Sequence, residues 1–236
     1  MAPQIPILLV GTANAHKLRE ISALLKDLPV RLQGAAILPE PVAPAEDGET
    51  FEENACRKAL AFAAAAARIL GPDRPLWALS DDSGLCVDAL GGAPGVLSAR
   101  YARGAADSPP PSTPAERDGA NNRKLLQALA GVEPKLRSAA FVCAVACAEV
   151  PRAGGTPRIV LEARGECRGR ILEAPRGAAG FGYDPLFLAE GTGRTYAELG
   201  DAEKNRISHR GRALQAFSRG LRPLLIASGP QLAALR

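Results

Sequence analysis

The stretch Leu79-Ser80-Asp81-Asp82-Ser83-Gly84-Leu85 decides how the chain is read. An apolar run from Pro75 to Leu79 has the character of a buried strand, and two adjacent carboxylates followed by Ser and Gly are expected to stop it abruptly. In open α/β sheets ligands collect in the crevice beyond the carboxyl ends of the strands. Two acids placed there are candidates for holding a divalent cation or activating water. The same residues also suit a strand-ending turn in which one Asp caps neighbouring amides, and this stretch alone does not choose between the two readings.

Upstream, Ile5 to Val10 is β-branched and apolar and breaks at Gly11-Thr12-Ala13-Asn14, after which Leu18, Ile21, Leu24, Leu25 and Leu28 recur at helical spacing. The chain therefore opens strand, polar turn, helix, with Thr12 or Asn14 as the cap. The first-turn amides and Lys17 could form an anion site, although a plain capped helix has the same pattern. Val30 to Leu38 is expected to form a second strand, followed by a proline-rich acidic loop from Pro39 to Glu49 that carries Glu46. An Ala-rich helix is predicted from Phe51 to about Leu70, with Thr50 and Glu53 spaced as a capping box.

Downstream, Gly91-Gly92-Ala93-Pro94-Gly95 reads as a tight turn leading to Ser98-Ala99-Arg100-Tyr101. Residues 104–119 are rich in Pro, Ala and Ser and are expected to be a flexible loop, with a short helix from Asn121 to Leu129. Ser138 to Val150 predicts a long strand, with Arg158 to Ala163 as its hairpin partner and Gly165 to Leu172 continuing the sheet. Consecutive strands without intervening helices favour a mixed sheet over a purely parallel one.

Two polar knots remain. In Gly180-Phe181-Gly182-Tyr183-Asp184-Pro185, before a short strand at Leu186 to Leu188, glycine-flanked aromatics offer a stacking surface for a nucleobase or a plug for the edge of the core. Glu203-Lys204-Asn205-Arg206-Ile207-Ser208-His209-Arg210 precedes the helix marked by Leu214, Phe217, Leu221, Leu224 and Leu225, with Ser208 as its expected N-cap. Basic residues at a helix start sit badly beside the positive end of the dipole, which an anionic or polar ligand would explain.

Composition bounds the answer. A chain of 236 residues suits one large domain or two small lobes, and folding buries roughly 70% of the unfolded surface at this size. Hydrophobic residues at 47% and charged residues at 23% exclude a wholly disordered chain, and aromatics at 4% leave a core of Ala, Leu and Val. The net charge of +4 is dispersed among acids, which argues against a nucleic-acid polymer as partner and remains compatible with a small polyphosphate. Five cysteines, an odd number set mostly in apolar sequence, predict buried free thiols in a reducing compartment. The Cys143/Cys147 spacing has no second pair to complete a zinc site. With neither a signal-peptide pattern nor an apolar run of spanning length, the expectation is a cytoplasmic protein with no membrane partner.

Six motifs then stand in order: Thr12 to Lys17 with Glu20 and Ile21; Thr50 to Ala55 with Lys58 and Ala59; Asp81 to Leu85; Gly91 to Gly95 with Ser98 to Tyr101; Gly180 to Pro185; and Ser208 to Arg210. Together they resemble the inosine/xanthosine triphosphatase (Ham1) family, from Val10 to about Leu225. The resemblance implies an α/β fold, elongated and two-lobed around a long mixed β-sheet with flanking helices, as a single inosine triphosphatase-like domain with the nucleotide between lobes. It implies hydrolysis of ITP, dITP and XTP to the monophosphate and pyrophosphate, with magnesium (Mg2+), usually by a homodimer. By the same resemblance Thr12, Ala13, Asn14, Ala15, His16 and Lys17 form the triphosphate-binding turn. Glu46 and Asp82 bind the metal, with Asp81 as an additional candidate, and Asp82 is the proton acceptor. Ser83 contacts substrate, Phe181, Gly182, Tyr183 and Asp184 hold the base, and Lys204, His209 and Arg210 complete the contacts. The 104–119 segment and the Pro151 to Pro157 connection are longer than the family pattern.

Other readings compete. A Maf-type pyrophosphatase would act on other nucleotides, and a regulator could bind nucleotide without catalysis. A haloacid-dehalogenase-like phosphatase needs two carboxylates one residue apart, whereas Asp81 and Asp82 are adjacent.

Overall fold

The computed structural model describes residues 5–69, 75–103, 113–151 and 155–227. Six strands form one sheet in the order β2-β1-β3-β4-β5-β6: β1 Ile7–Val10, β2 Arg31–Gly34, β3 Trp77–Val87, β4 Ser138–Glu149, β5 Arg158–Ile171 and β6 Phe187–Ala189. β1 runs parallel to both β2 and β3, with Val10 opposite Gly34 and Leu79. β5 and β6 are antiparallel, with Gly169 opposite Ala189, so the sheet is mixed as expected. Among the described residues there are five α-helices, α1 Ala15–Leu24, α2 Phe51–Ala66, α3 Pro114–Ala128, α4 Asp201–Ile207 and α5 His209–Ala227.

The acidic pair does not end its strand. β3 continues through Asp81 and Asp82 to Val87, because both carboxylates find cationic partners inside the fold and Leu85 and Val87 supply buried apolar positions beyond them. The neighbour β1 does stop, at Val10. The Gly11 amide donates to the Leu79 carbonyl at 2.7 Å and the chain then turns away. A Cβ on Gly11 would lie 2.3 Å from Phe62 Cδ2 and 2.6 Å from Ser80 Oγ, so only glycine lets α2 come this close. The α2 face is built for that approach, with Ala55, Ala59, Ala63 and Ala66 fully buried.

Several boundaries differ from expectation. The second strand is only Arg31–Gly34, and a 3-10 turn at Ala35–Ile37 takes the rest of its predicted span. The α2 helix ends at Ala66, and Leu70 lies outside the described residues. Of the predicted 104–119 loop, residues 104–112 lie outside the described residues, whereas residues 114–119 are helical. Thr113 and Glu116 form a full capping box, with Pro114 at the first helical position, and start α3 earlier than hydrophobic spacing alone suggests. The two segments expected after residue 157 are one strand, β5. All five cysteines are free thiols, three of them buried.

The chain divides into two compact units: residues 1–82, 143–165 and 210–236, and residues 83–142 and 166–209. The first has a core in which Leu8, Val10, Trp77, Leu79, Val145 and Cys147 from the strands meet Ile21, Leu214, Phe217 and Leu221 from α1 and α5. The core of the second gathers Leu85, Leu125, Phe141, Ile171, Phe187 and Tyr196.

Candidate active site

Side chains alternate along a strand, so adjacent residues point to opposite faces. Asp81 shares its face with Trp77 and Leu79, the positions packed by α1 and α5. Asp82 shares the other face with Ala78 and Ser80, and Ser80 lies toward Phe62 of α2 across Gly11. The two acids therefore receive different partners. Lys17 Nζ of α1 lies 3.0 Å from Asp81 Oδ2, and Arg210 of α5 donates to the same oxygen through Nη2 at 3.0 Å and Nε at 3.3 Å. Arg210 Nη1 also pairs with Glu20 of α1. On the opposite face, Lys58 Nζ donates to Asp82 Oδ1 at 2.7 Å and to Glu46 Oε1 at 3.1 Å, and Asn54 Nδ2 donates to Asp82 Oδ2 at 3.3 Å. Asn54 Oδ1 accepts from the Gly48 amide at 2.9 Å, which ties the loop carrying Glu46 to α2.

The electrostatics separate the acids further. Burial pushes the Asp81 carboxyl up, but Lys17, Arg210 and Lys58 overcome it and hold the group far below the usual carboxylate range. Asp82 moves the other way: burial raises it against the pull of Lys58, and nearby Glu46 adds to the rise. Burial lowers Lys58, yet Asp82 and Asp81 outweigh that and keep it protonated. Cys143, whose Sγ lies 3.9 Å from Asp81 Oδ2, is pushed up to about 12 by burial, with Asp81 adding to the effect, and stays a thiol.

The turn after β1 is held by its own side chains. Asn14 caps α1, its Oδ1 accepting from the His16 amide at 2.9 Å and the Lys17 amide at 3.3 Å, while Thr12 Oγ1 accepts from the Asn14 amide at 3.1 Å. His16 is exposed, with Nδ1 2.9 Å from Arg19 Nη2. The turn ends with Lys17 aimed at Asp81.

In the second unit a separate cluster forms. Asp184 Oδ2 accepts from Lys204 Nζ at 2.7 Å and from the Phe181 amide at 3.0 Å. Lys204 Nζ also stands 5.0 Å from the Phe181 ring centroid and 5.5 Å from that of Tyr196. His209 stacks on Phe141 at 4.8 Å and lies 6.1 Å from the Tyr196 ring, which is itself 5.5 Å from Phe141. Phe181 is half-buried and can serve as a stacking face. Tyr183 cannot: its ring is buried and its hydroxyl donates to the Ser98 carbonyl at 2.9 Å, so of the two predicted aromatics this one is the core plug. Ser83 is half-buried on β3. Ser208 stands immediately before α5, at the position expected of its N-cap, in extended backbone (φ −68°, ψ 159°), and its amide donates to the Lys204 carbonyl at 2.8 Å. The basic start of α5 is matched within the protein, since Arg210 meets Asp81 and Glu20.

The first unit thus brings together Lys17, Glu46, Asp81, Asp82 and Arg210, and the second brings together Phe181, Asp184, Lys204 and His209. Sequence reasoning left Glu20, Asn54, Lys58 and Tyr196 without roles. A signal existed for two of them. Asn54 and Lys58 fall i and i+4 on the stripe that also carries Phe51, Ala55, Ala59 and Phe62, and a polar pair on a buried helical stripe calls for partners.

Glu46 and Asp82 reach one cationic atom from different elements, the Glu46 loop and β3, so their oxygens form a donor set suited to a hard divalent cation such as magnesium. Among the described residues no group of three or more His, Cys, Asp or Glu stands ready for a metal, so these two carboxylates would share it with oxygens of water or ligand.

A mixed sheet with carboxylates mid-strand, each paired with lysine or arginine, and a separate aromatic–lysine cluster in the second unit define an α/β protein. The match to known proteins is specific. The model of the Ham1 family covers residues 8–219, and the chain belongs to that family. It is 49% identical over 216 residues to a dITP/XTP pyrophosphatase of Syntrophobacter fumaroxidans, covering 90% of this chain and 81% of the relative. A dITP/XTP pyrophosphatase of Geobacter sulfurreducens is 47% identical, covering 88% and 92%. Among solved structures, a HAM1 protein from Coxiella burnetii superposes with a TM-score of 0.73 at 37% identity, covering 92% of this chain and 98% of that one.

Proposed function

We propose that this chain hydrolyses non-standard purine nucleoside triphosphates, ITP, dITP and XTP, to the monophosphate and pyrophosphate. The observation that carries the reading is the convergence of Asp82 and Glu46 on Lys58 Nζ, on a strand whose preceding residue holds Lys17, in a chain matched by the Ham1 family across residues 8–219. In this reading water attacks the α-phosphorus, the α–β phosphoanhydride bond breaks and pyrophosphate leaves. Asp82, raised by burial above the ordinary carboxylate value, orients the water and takes its proton. Lys17 and Lys58 neutralise phosphate oxygens. Glu46 and Asp82 would hold magnesium, which when bound supplies charge neutralisation at the phosphates. Asp81 is assigned the task of fixing Lys17 and Arg210 rather than binding metal. Ser83 and the turn from Thr12 to Lys17 contact the triphosphate, and Phe181, Asp184, Lys204 and His209 take the base.

Discrimination would come from donors aimed at the purine 6-oxygen, against which a 6-amino group leaves buried polar atoms unpaired at a cost of ~10⁴-fold. The working form is inferred to be a cytoplasmic homodimer, in keeping with the family resemblance; no described helix is long and apolar enough to cross a membrane. The test is product analysis across a nucleotide panel with magnesium. Pyrophosphate and IMP from ITP, with dITP and XTP preferred over ATP, dTTP and UTP, are expected. Orthophosphate as first product, or a preference for pyrimidines, would replace the reading.

A further inference from the structure

We propose that Asp118 and Asn122 of α3 are positioning residues for the base-holding loop, an inference that rests on the proposed role of Phe181, Asp184 and Lys204. The two lie one helical turn apart and so share a face. Between them they hold both ends of one residue: the Gly182 amide donates to Asp118 Oδ2 at 2.7 Å, and the Gly182 carbonyl accepts from Asn122 Nδ2 at 3.0 Å. Gly182 is in the left-handed region at φ 61°, so its peptide planes can be set by what grips them rather than by a side chain.

Neither contact serves the helix itself. The cap of α3 is made by Thr113 and Glu116, and Asp118 lies beyond the first turn. Arg117 Nε stands 3.7 Å from Asp118 Oδ1, leaving Oδ2 to the loop. Asn122 Oδ1 is buried and has no hydrogen-bond partner among the described residues. Turning the amide over would set that oxygen against the Gly182 carbonyl, so the side chain keeps an unmatched acceptor in order to keep the grip. The adjacent Asn121 donates to the Ser98 carbonyl at 3.2 Å, the same oxygen that accepts the Tyr183 hydroxyl. Three side chains within about one turn of α3 thus hold Gly182 and the carbonyl to which Tyr183 is anchored.

The gripped peptide lies beside the groups proposed to read the base. Phe181 precedes it, and the Phe181 amide shares Asp184 Oδ2 with Lys204. A rotation of Gly182 would carry the Phe181 ring and the Asp184–Lys204 pair out of register, while Lys58, Asp82 and Glu46 belong to the other compact unit. The grip should therefore govern KM and base choice and leave the turnover step alone.

The test uses Asp118→Ala, Asp118→Asn, which retains an acceptor, and Asn122→Leu, which removes the donor together with the unmatched oxygen and so favours retention of the fold. Thermal unfolding selects the folded variants. Asp118→Ala and Asn122→Leu are expected to raise KM for dITP roughly tenfold, with kcat within about twofold, and to reduce the dITP-to-dATP ratio of kcat/KM by a similar factor. Asp118→Asn should restore most of both. Amide exchange at Gly182, followed by NMR without nucleotide, should accelerate about tenfold in Asp118→Ala. Unchanged exchange, or unchanged KM and ratio in both folded variants, overturns the proposal. If the parent shows no preference for dITP, the proposed substrate class fails, and the exchange measurement still decides by itself whether α3 holds the loop.

Discussion

At the scale of single residues, two neighbouring aspartates do opposite work. Asp81 is a charge anchor: with Lys17 and Arg210 on one carboxylate oxygen, its removal takes a partner from two cations and leaves the buried Arg210 with Glu20 for its counter-charge. Asp81→Asn should therefore lower stability by about 3–5 kcal/mol at neutral pH, measured by urea unfolding. Its carboxyl is depressed in the folded state, so its contribution is complete above the unfolded value and is lost only as pH falls through the folded one. The difference between parent and variant should thus persist at mildly acidic pH and close only in strong acid. Asp82 is raised instead, and keeping it ionised in the fold costs stability at neutral pH. Asp82→Asn is expected to be as stable as the parent or more so, and to lose about 10²–10⁴ in kcat on ITP. If Asp82→Asn unfolds and Asp81→Asn does not, these roles are reversed.

At the scale of elements, the sequence showed strand-turn-helix at Ile5 to Leu28 because apolar periodicity and an Asn cap coincide there. It did not show that β3 runs through its acids, because the permission comes from cations on α1, α2 and α5, far away along the chain. The polar stripe on α2 was legible as an anomaly, while its partner acids could not be found without the fold. At α3 the cap was present in Thr113-Pro114-Ala115-Glu116 but hidden by the proline-rich composition before it. That cap has a measurable weight. Thr113→Ala should cost about 1 kcal/mol in urea unfolding, and equal stability of variant and parent would show that tertiary contacts alone hold the start of α3.

For the whole molecule, the division into two cores was legible only as chain length and family resemblance, since neither core is contiguous in sequence. The chain passes between the units four times, at 82/83, 142/143, 165/166 and 209/210. A chain ended at His209 would lack Ala213, Leu214, Phe217 and Leu221, all fully or nearly fully buried in the first core. Such a chain should lose amide protection in β1, as read by hydrogen exchange, and retained protection there would mean that the first core stands without α5. Arg210 adds a consequence for biosynthesis. Glu20 and Asp81 are translated long before the guanidinium that joins them, separated from it by 190 and 129 positions. On the ribosome, where folding proceeds from the N-terminus, these two carboxylates wait for their shared counter-ion until α5 has emerged.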